Sequence, residues 1–324
     1  MKTIGILLAV LMLVGCQTNR VVEKETSLLQ TVKERGYIVC GVNAGLPGFA
    51  SEDAEGNWSG LDVDFCRAVS AAVFGDADKV EYLGLNAAQR FPTLASGSID
   101  ILSRNTTWTI SRDVNLMFEF AGVSYYDGQG FLVPASLGIT SARGLDGAFV
   151  CIASETTSEL NLNDYFAENN MAYKPIYVEG NKDAKAKLFA GECDVFTTDA
   201  SGLASARAGA ENPDDWVVLP EIISKEPLGP LVRQGDQEWE DVVRWTLFAM
   251  INAEEMGITS RNVDDMLAAQ SKEIKRLLGV EGYMGPMLGL GMKFGYNIIK
   301  LVGNYGGLNN LWNNGGILYV PPFR

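Results

Sequence analysis

The sequence predicts an α/β protein made of two consecutive α/β units. Three observations carry this. Short β-rich runs alternate with helical patterns from Tyr37 onward, the alternation restarts near Ala148, and one eight-residue pattern occurs once in each half. The length of 324 residues, 47% hydrophobic and 20% charged, suits two domains of ordinary size.

Taken in order, the chain opens with Lys2 and the apolar stretch Ile4 to Val14. That is the length of a signal-peptide core and well short of the roughly 20 residues that span a bilayer, so residues 1–15 read as a removable leader. Its end, Leu13-Val14-Gly15-Cys16, resembles the lipobox of bacterial lipoproteins, which makes Cys16 the expected lipid anchor. The competing reading is an ordinary signal sequence cleaved nearby, although no A-x-A site is visible. Residues 16–27 are polar and aperiodic, as in a tether.

Tyr37 to Val42, Val80 to Leu85 and Ile99 to Leu102 read as strands. Between them, Leu61 to Phe74 has helical spacing, with Asp62 and Asp64 suited to its first turn. The second unit offers Ala148 to Ala153, Ile176 to Val178, Asp194 to Thr197 and Trp216 to Leu219 as strands. Helical candidates lie near Leu160 to Glu168, Ala184 to Ala190 and Gly202 to Gly209. Leu94 to Ile101 and Leu188 to Val195 share L-x-x-G-x-x-D-[IV], a helix ended by Gly and then a strand opening with Asp. Polar clusters follow each copy, where ligands bind in open α/β sheets. Gly130 to Pro134 and Glu226 to Val232 are extended, Pro-punctuated stretches suited to crossings between lobes. The helices Trp239 to Met256 and Val263 to Leu278 would then complete the first lobe. The Gly- and Asn-rich tail from Gly282 carries enough aromatics to pack on its surface.

After Cys16 the cysteines are Cys40, Cys66, Cys151 and Cys193. An even number in an exported chain predicts disulfides; three pairings are open, and the positions favour one bridge in each half. There is no C-x-x-C to suggest metal or redox use. A formal charge of -14 without a Lys/Arg run disfavours nucleic acid. The absence of His removes the usual general base, the Ser-His and Cys-His pairs and His metal ligands together.

The ordered segments Gly60-Leu61-Asp62-Val63-Asp64, Leu94-x-x-Gly97-x-x-Asp100, Thr107-x-Thr109-x-x-Arg112 and Gly191-x-x-Asp194 with Asp199 resemble the periplasmic amino-acid-binding proteins of ABC transporters. Leu102 to Thr109, Glu159 to Tyr165 and Gly315 to Pro322 look most like the general L-amino-acid permease subgroup. The resemblance implies a type II periplasmic-binding-protein fold, two α/β lobes joined by two crossing strands, with residues 28–132 and 229–324 in lobe 1 and 135–224 in lobe 2. It implies a free L-amino acid as ligand, ABC permease subunits as partner, a periplasmic location, a monomer, no enzyme activity, and no cofactor or metal.

By motif position the resemblance makes Arg112 the carboxylate-binding Arg, with Thr107 and Asn105 as hydrogen-bonding neighbours. Asp199 becomes the ammonium-binding carboxylate, Thr156 and Thr157 a second carboxylate contact, and Arg90 a reader of acidic side chains. A zwitterionic ligand requires such a cation and such a carboxylate on chemical grounds alone. Without the resemblance, Arg112 beside Asp113 reads as a surface pair, Asp199, Thr156 and Thr157 as helix caps, and Arg90 as a helix-surface residue. Positions where relatives stack an aromatic ring are Leu46 and Ala87 here, which implies broad recognition, and Arg90 tilts it to Glu, Gln, Asp and Asn. The alternatives are an amino-acid-sensing envelope lipoprotein and, less favoured, a dehydratase on the same scaffold.

Overall fold

The computed structural model describes residues 27–307 and 309–323. The expected leader, Cys16 and its tether through residue 26 lie outside the described residues. The chain enters at α1 (Leu28–Arg35), whose first turn is capped by the Ser27 hydroxyl and whose end is set by Gly36 in the left-handed region. Then follow β1 (Ile38–Asn43), a short hairpin of β2 (Ser51–Glu52) and β3 (Trp58–Ser59), α2 (Leu61–Phe74), β4 (Val80–Leu85), α3 (Ala87–Ala95), β5 (Ile101–Leu102) and β6 (Phe118–Phe120). A π turn at Ser111–Asn115 precedes β6.

The chain next passes through β7 (Tyr125–Asp127) into a second sheet. That lobe contains β8 (Gln129–Pro134), β9 (Phe149–Ala153), α4 (Thr157–Glu168), β10 (Lys174–Val178), α5 (Asn181–Phe189), β11 (Val195–Asp199), α6 (Ala200–Ala208) and β12 (Trp216–Val218). It returns along β13 (Glu226–Leu228), antiparallel to β7, and re-enters the first sheet as β14 (Leu231–Arg233). Among the described residues, lobe 1 is finished by the α-helices α7 (Gln237–Glu255), α8 (Val263–Met266), α9 (Lys272–Leu277), α10 (Met284–Met287) and α11 (Phe294–Leu301).

The two sheets share one topology. Their strand orders are β4-β1-β5-β14-β6 and β10-β9-β11-β8-β12, each with three parallel strands, then one antiparallel strand (β14 or β8), then a fifth running with the first three. The repeated sequence pattern has a physical cause in both. Gly97 and Gly191 turn the chain at φ 78° and 75°. Three residues later, Asp100 accepts from Val39 N at 2.7 Å and Asp194 from Phe149 N at 2.8 Å, so each Asp pins its strand to the parallel neighbour.

The lobe 1 core packs α7 on α2 and α11, with Trp239, Val243, Leu247, Phe294 and Ile298 buried. In lobe 2 the strands alternate: Phe131, Val150 and Val195 face one core, and Leu132, Cys151 and Phe196 the other. Cys40–Cys66 ties β1 to α2, and Cys151–Cys193 ties β9 to the start of β11, one disulfide per lobe.

Three expectations are corrected. Gly130 to Pro134 is not a crossing but the inner strand β8, paired with β11 and β12, and the crossing lies at β7. A strand buried on both faces gives the same unbroken apolar run as an extended linker. Lobe 1 therefore leaves off before residue 129 rather than at 132. Val263 to Leu278 is not one helix, because the Ser271 hydroxyl caps a new one by accepting from Ile274 N. The tail does more than cover a surface: Tyr305, Leu311, Leu318, Val320 and Phe323 are buried in the lobe 1 core. Tyr305 also donates to Ser124 O at 2.7 Å, and Asn309 accepts from Tyr126 N at 2.8 Å, bracing the first crossing.

Candidate functional site

Arg90, Asn105, Thr107, Arg112, Thr156, Thr157 and Asp199 all line one cavity of about 50 Å³ between the lobes. Lobe 1 contributes α3 and the polar segment after β5; lobe 2 contributes the start of α4 and the end of β11. The lobes touch across it. Asn105 Nδ2 donates to Asp199 Oδ2 at 3.1 Å, and the Thr107 and Thr157 hydroxyls are 3.3 Å apart.

Arg112 sits within the π turn, whose wider winding turns one residue inward. Its side chain is 6% exposed, whereas Val114 is 62% exposed, and its Nη1 donates to Thr107 O at 2.8 Å. Burial pulls its pKa down to about 10, opposed by the charges of Glu226 and Asp199, so the cation persists at neutral pH. The surface pair with Asp113 does not form, since Asp113 accepts from Trp108 Nε1 instead.

Asp199 ends β11, and its side chain makes no capping bond to α6. Burial pushes its carboxyl up to about 7, with the charges of Asp127 and Glu226 adding to the shift. Because that value lies above the ordinary 3.8, the group favours the unliganded fold only while protonated. The contribution is complete below pH 3.8 and is lost as pH rises through about 7. An arriving ammonium requires the ionised form. Binding at pH 6 is therefore expected to release a proton, with affinity falling from pH 8 to pH 6. Calorimetry in two buffers of different ionisation enthalpy measures this, and equal heats in the two buffers at pH 6 would contradict it.

Arg90 is 3% exposed, and its Nε has no hydrogen-bond partner. Its closest polar contact is Nη1 to Thr106 Oγ1 at 3.4 Å, and its guanidinium lies 4.6 Å from the Phe91 ring centroid. Burial, then Arg104 and Arg112, push its pKa down. A guanidinium keeps its proton in proteins, so the shift expresses an unsatisfied demand for an anion.

Thr156 is the N-cap of α4; its hydroxyl accepts from Glu159 N at 3.2 Å and donates to Ala153 O at 2.7 Å. It caps and lines the cavity at once. The first-turn N–H groups of α4 have no partner within the helix and suit an anion. Ala87 lines the cavity, whereas Leu46 faces the neighbouring groove.

Sequence reasoning missed four supporting residues. Glu226, 1% exposed at the crossing, accepts at Oε2 from the Thr107 hydroxyl and from Thr157 Oγ1 at 3.1 Å. At Oε1 it accepts from Asn161 Nδ2 and Ser224 Oγ, both at 2.7 Å. The signal was a carboxylate inside an otherwise apolar crossing. Asp62, assigned only to a helix turn, accepts from Asn105 N at 2.9 Å, and burial raises its pKa to about 6. Asn43 donates to Asn105 Oδ1 at 2.9 Å, which fixes Asn105 with its NH2 toward Asp199. Arg104 donates to Leu85 O at 2.9 Å and lines the cavity. The cavity thus offers guanidinium groups from lobe 1 and a carboxylate from lobe 2. Among the described residues, no cluster of three or more His, Cys, Asp or Glu could hold a metal ion. No described helix is long and apolar enough to cross a membrane.

Residues 38–261 match the model of the bacterial extracellular solute-binding proteins, family 3. The chain is 54% identical to the general L-amino acid-binding periplasmic protein AapJ of Rhizobium johnstonii, over 91% of this chain and 92% of that one. It is 51% identical to the glutamate/glutamine/aspartate/asparagine-binding protein BztA of Rhodobacter capsulatus, over 92% and 94%. A solved structure of an ABC transporter periplasmic binding protein from Brucella ovis with glutathione bound superposes with a TM-score of 0.89 at 50% identity, covering 92% of this chain and all of that one. With the two-lobed type II architecture, this match over more than half its length places the chain in the bacterial extracellular solute-binding proteins, family 3.

Proposed function

We propose that this protein is an extracytoplasmic receptor that captures a free L-amino acid between its lobes and delivers it to an ABC permease. One observation carries the reading: buried guanidinium groups of lobe 1 face the buried carboxylate Asp199 of lobe 2 across a cavity closed by contacts between the lobes. Arg112, with the backbone N–H groups at the start of α4, holds the α-carboxylate; Asp199 holds the α-ammonium. Thr107, Asn105, Thr156 and Thr157 complete the shell. The hydroxyls of Thr107 and Thr157 donate to Glu226, so their lone pairs serve as further acceptors. Contacts to both lobes make closure the ligand-selected state.

The ligands named for AapJ and BztA support a broad range tilted to Glu, Gln, Asp and Asn. The glutathione held by the Brucella protein carries the same α-amino-acid head on its γ-glutamyl residue. Arg90 lacks an anion of its own, so it reads the side-chain carboxylate. Arg90→Ala is therefore expected to weaken glutamate and aspartate about tenfold or more while leaving alanine nearly unchanged. Equal loss for alanine and glutamate contradicts that role. Attachment through a lipid on Cys16 is part of the same proposal.

A ligand that binds only the native state raises the melting temperature by mass action. Thermal unfolding of protein stripped of carried ligand, with and without each of the twenty amino acids, tests the reading. An increase with several of them is expected; no increase with any overturns it.

A further inference from the structure

Beside the inner cavity the same cleft opens into a groove of about 900 Å³, walled by Leu46 and Phe49 of lobe 1, Tyr125 at the crossing, and Ser201 and Gly202 on α6 of lobe 2. Asn181 borders both spaces, so the groove adjoins the inner cavity. Such a volume exceeds what one amino-acid side chain occupies and lies in the range of sites for larger ligands, about 300–1,000 Å³.

Charge decides what chemistry suits the groove. Lys182 and Lys185 line it from lobe 2 and the exposed Glu52 of β2 from lobe 1; among the described residues Lys182 makes no hydrogen bond or ion pair, and Lys185 Nζ donates only to Gly209 O, at 3.4 Å. A neighbouring space of about 570 Å³ shares Lys182 with the groove and Arg104 with the inner cavity, and there Glu179 and Asp183 balance the two cations. The groove, with two lysines to one carboxylate, carries the excess positive charge of the two spaces, so an anionic extension is drawn into it.

The head-group geometry restricts how that extension is attached. Asp199 and Arg112 require a free α-ammonium and a free α-carboxylate on the same carbon. An α-linked peptide loses one of the two at every residue, whereas an amide on the side chain keeps both. We propose that the groove binds the extension of γ-linked glutamyl peptides, with Lys182 and Lys185 meeting their distal carboxylate. This rests on the amino-acid-receptor reading and widens its ligand class.

Calorimetric titration of stripped protein with L-glutamine, γ-L-glutamylglycine, its terminal amide and α-L-glutamylglycine tests the inference. γ-L-Glutamylglycine is expected to bind in competition with L-glutamine and within about tenfold of it, and the α-linked isomer at least about a hundredfold more weakly. The paired substitution Lys182→Ala and Lys185→Ala should weaken γ-L-glutamylglycine about fivefold and leave L-glutamine and the amide unchanged. Ala204→Trp, an exposed α6 position on the groove wall, should block γ-L-glutamylglycine and spare L-glutamine. L-Glutamine binding without γ-L-glutamylglycine binding overturns the inference and leaves the receptor reading standing. Equal losses for both ligands in the lysine variant also overturn it. No binding of L-glutamine or any other amino acid overturns both.

Discussion

Arg112→Ala and Asp199→Asn are each expected to abolish amino-acid binding in a protein that still folds. Each residue supplies a charged hydrogen-bonding group inside a closed cavity, and each is 6% exposed. Removing one partner of such a pair strands the ligand's opposite charge out of water. The expected loss is about 2–5 kcal/mol, roughly 30- to 5,000-fold in Kd. The fold should tolerate both changes. Arg112 makes one local bond to Thr107 O, and Asp199 makes no capping bond to α6, so neither holds an element in place. Titration with L-glutamate and L-glutamine, beside circular dichroism, separates lost binding from lost fold. An Asp199→Asn protein that binds as tightly as the parent would remove the ammonium assignment.

The second large effect belongs to Glu226, which no motif singled out. Its carboxylate accepts four hydrogen bonds, from Thr107 of lobe 1, from Thr157 and Asn161 of lobe 2, and from Ser224 beside the crossing. Glu226→Ala leaves these donors unpaired and removes a negative charge facing Arg112. A loss of about 3–5 kcal/mol in stability is expected. Glu226→Gln keeps the shape but brings an NH2 group. Asn161 Nδ2 also donates to Gln129 Oε1 at 3.1 Å, so Asn161 cannot flip without a new conflict, and the Gln NH2 must turn toward the threonines. Their hydroxyls then reorient into the cavity and oppose the ammonium. Glu226→Gln should therefore fold, melt above Glu226→Ala, and bind amino acids about tenfold or more weakly than the parent. Full affinity in Glu226→Gln would show that hydroxyl direction is irrelevant.

Much of this architecture was legible because local chemistry repeats it. Leu61–Phe74 and Val80–Leu85 emerge at their sequence-read limits because apolar spacing and flanking turns agree. The shared L-x-x-G-x-x-D-[IV] pattern marks two real junctions because the same Gly turn and Asp anchor are needed beside each parallel strand. One disulfide per lobe follows from the placement of the cysteines. What remained hidden depends on distance in space. Thr107 and Glu226 are 119 residues apart and Thr157 and Glu226 are 69, so no local pattern links them. Asp62 was hidden by a sufficient bland role at a helix start. β8 was mistaken for a crossing because burial on both faces erases the period of two that betrays a strand. The tail's place in the core was hidden by its glycine content, which signals turns while its scattered aromatics do the packing.

The most direct test of the central claim, that one amino acid is held by its head groups between the lobes, is calorimetric titration of protein beginning after Cys16. The protein is first unfolded and refolded to remove carried ligand, then titrated with each of the twenty L-amino acids. The account predicts one site per chain, tight binding of several amino acids with Glu, Gln, Asp and Asn among the strongest, and loss of all of it in Arg112→Ala and Asp199→Asn. A folded protein that gives no heat with any amino acid, or one whose binding survives both substitutions, would contradict it.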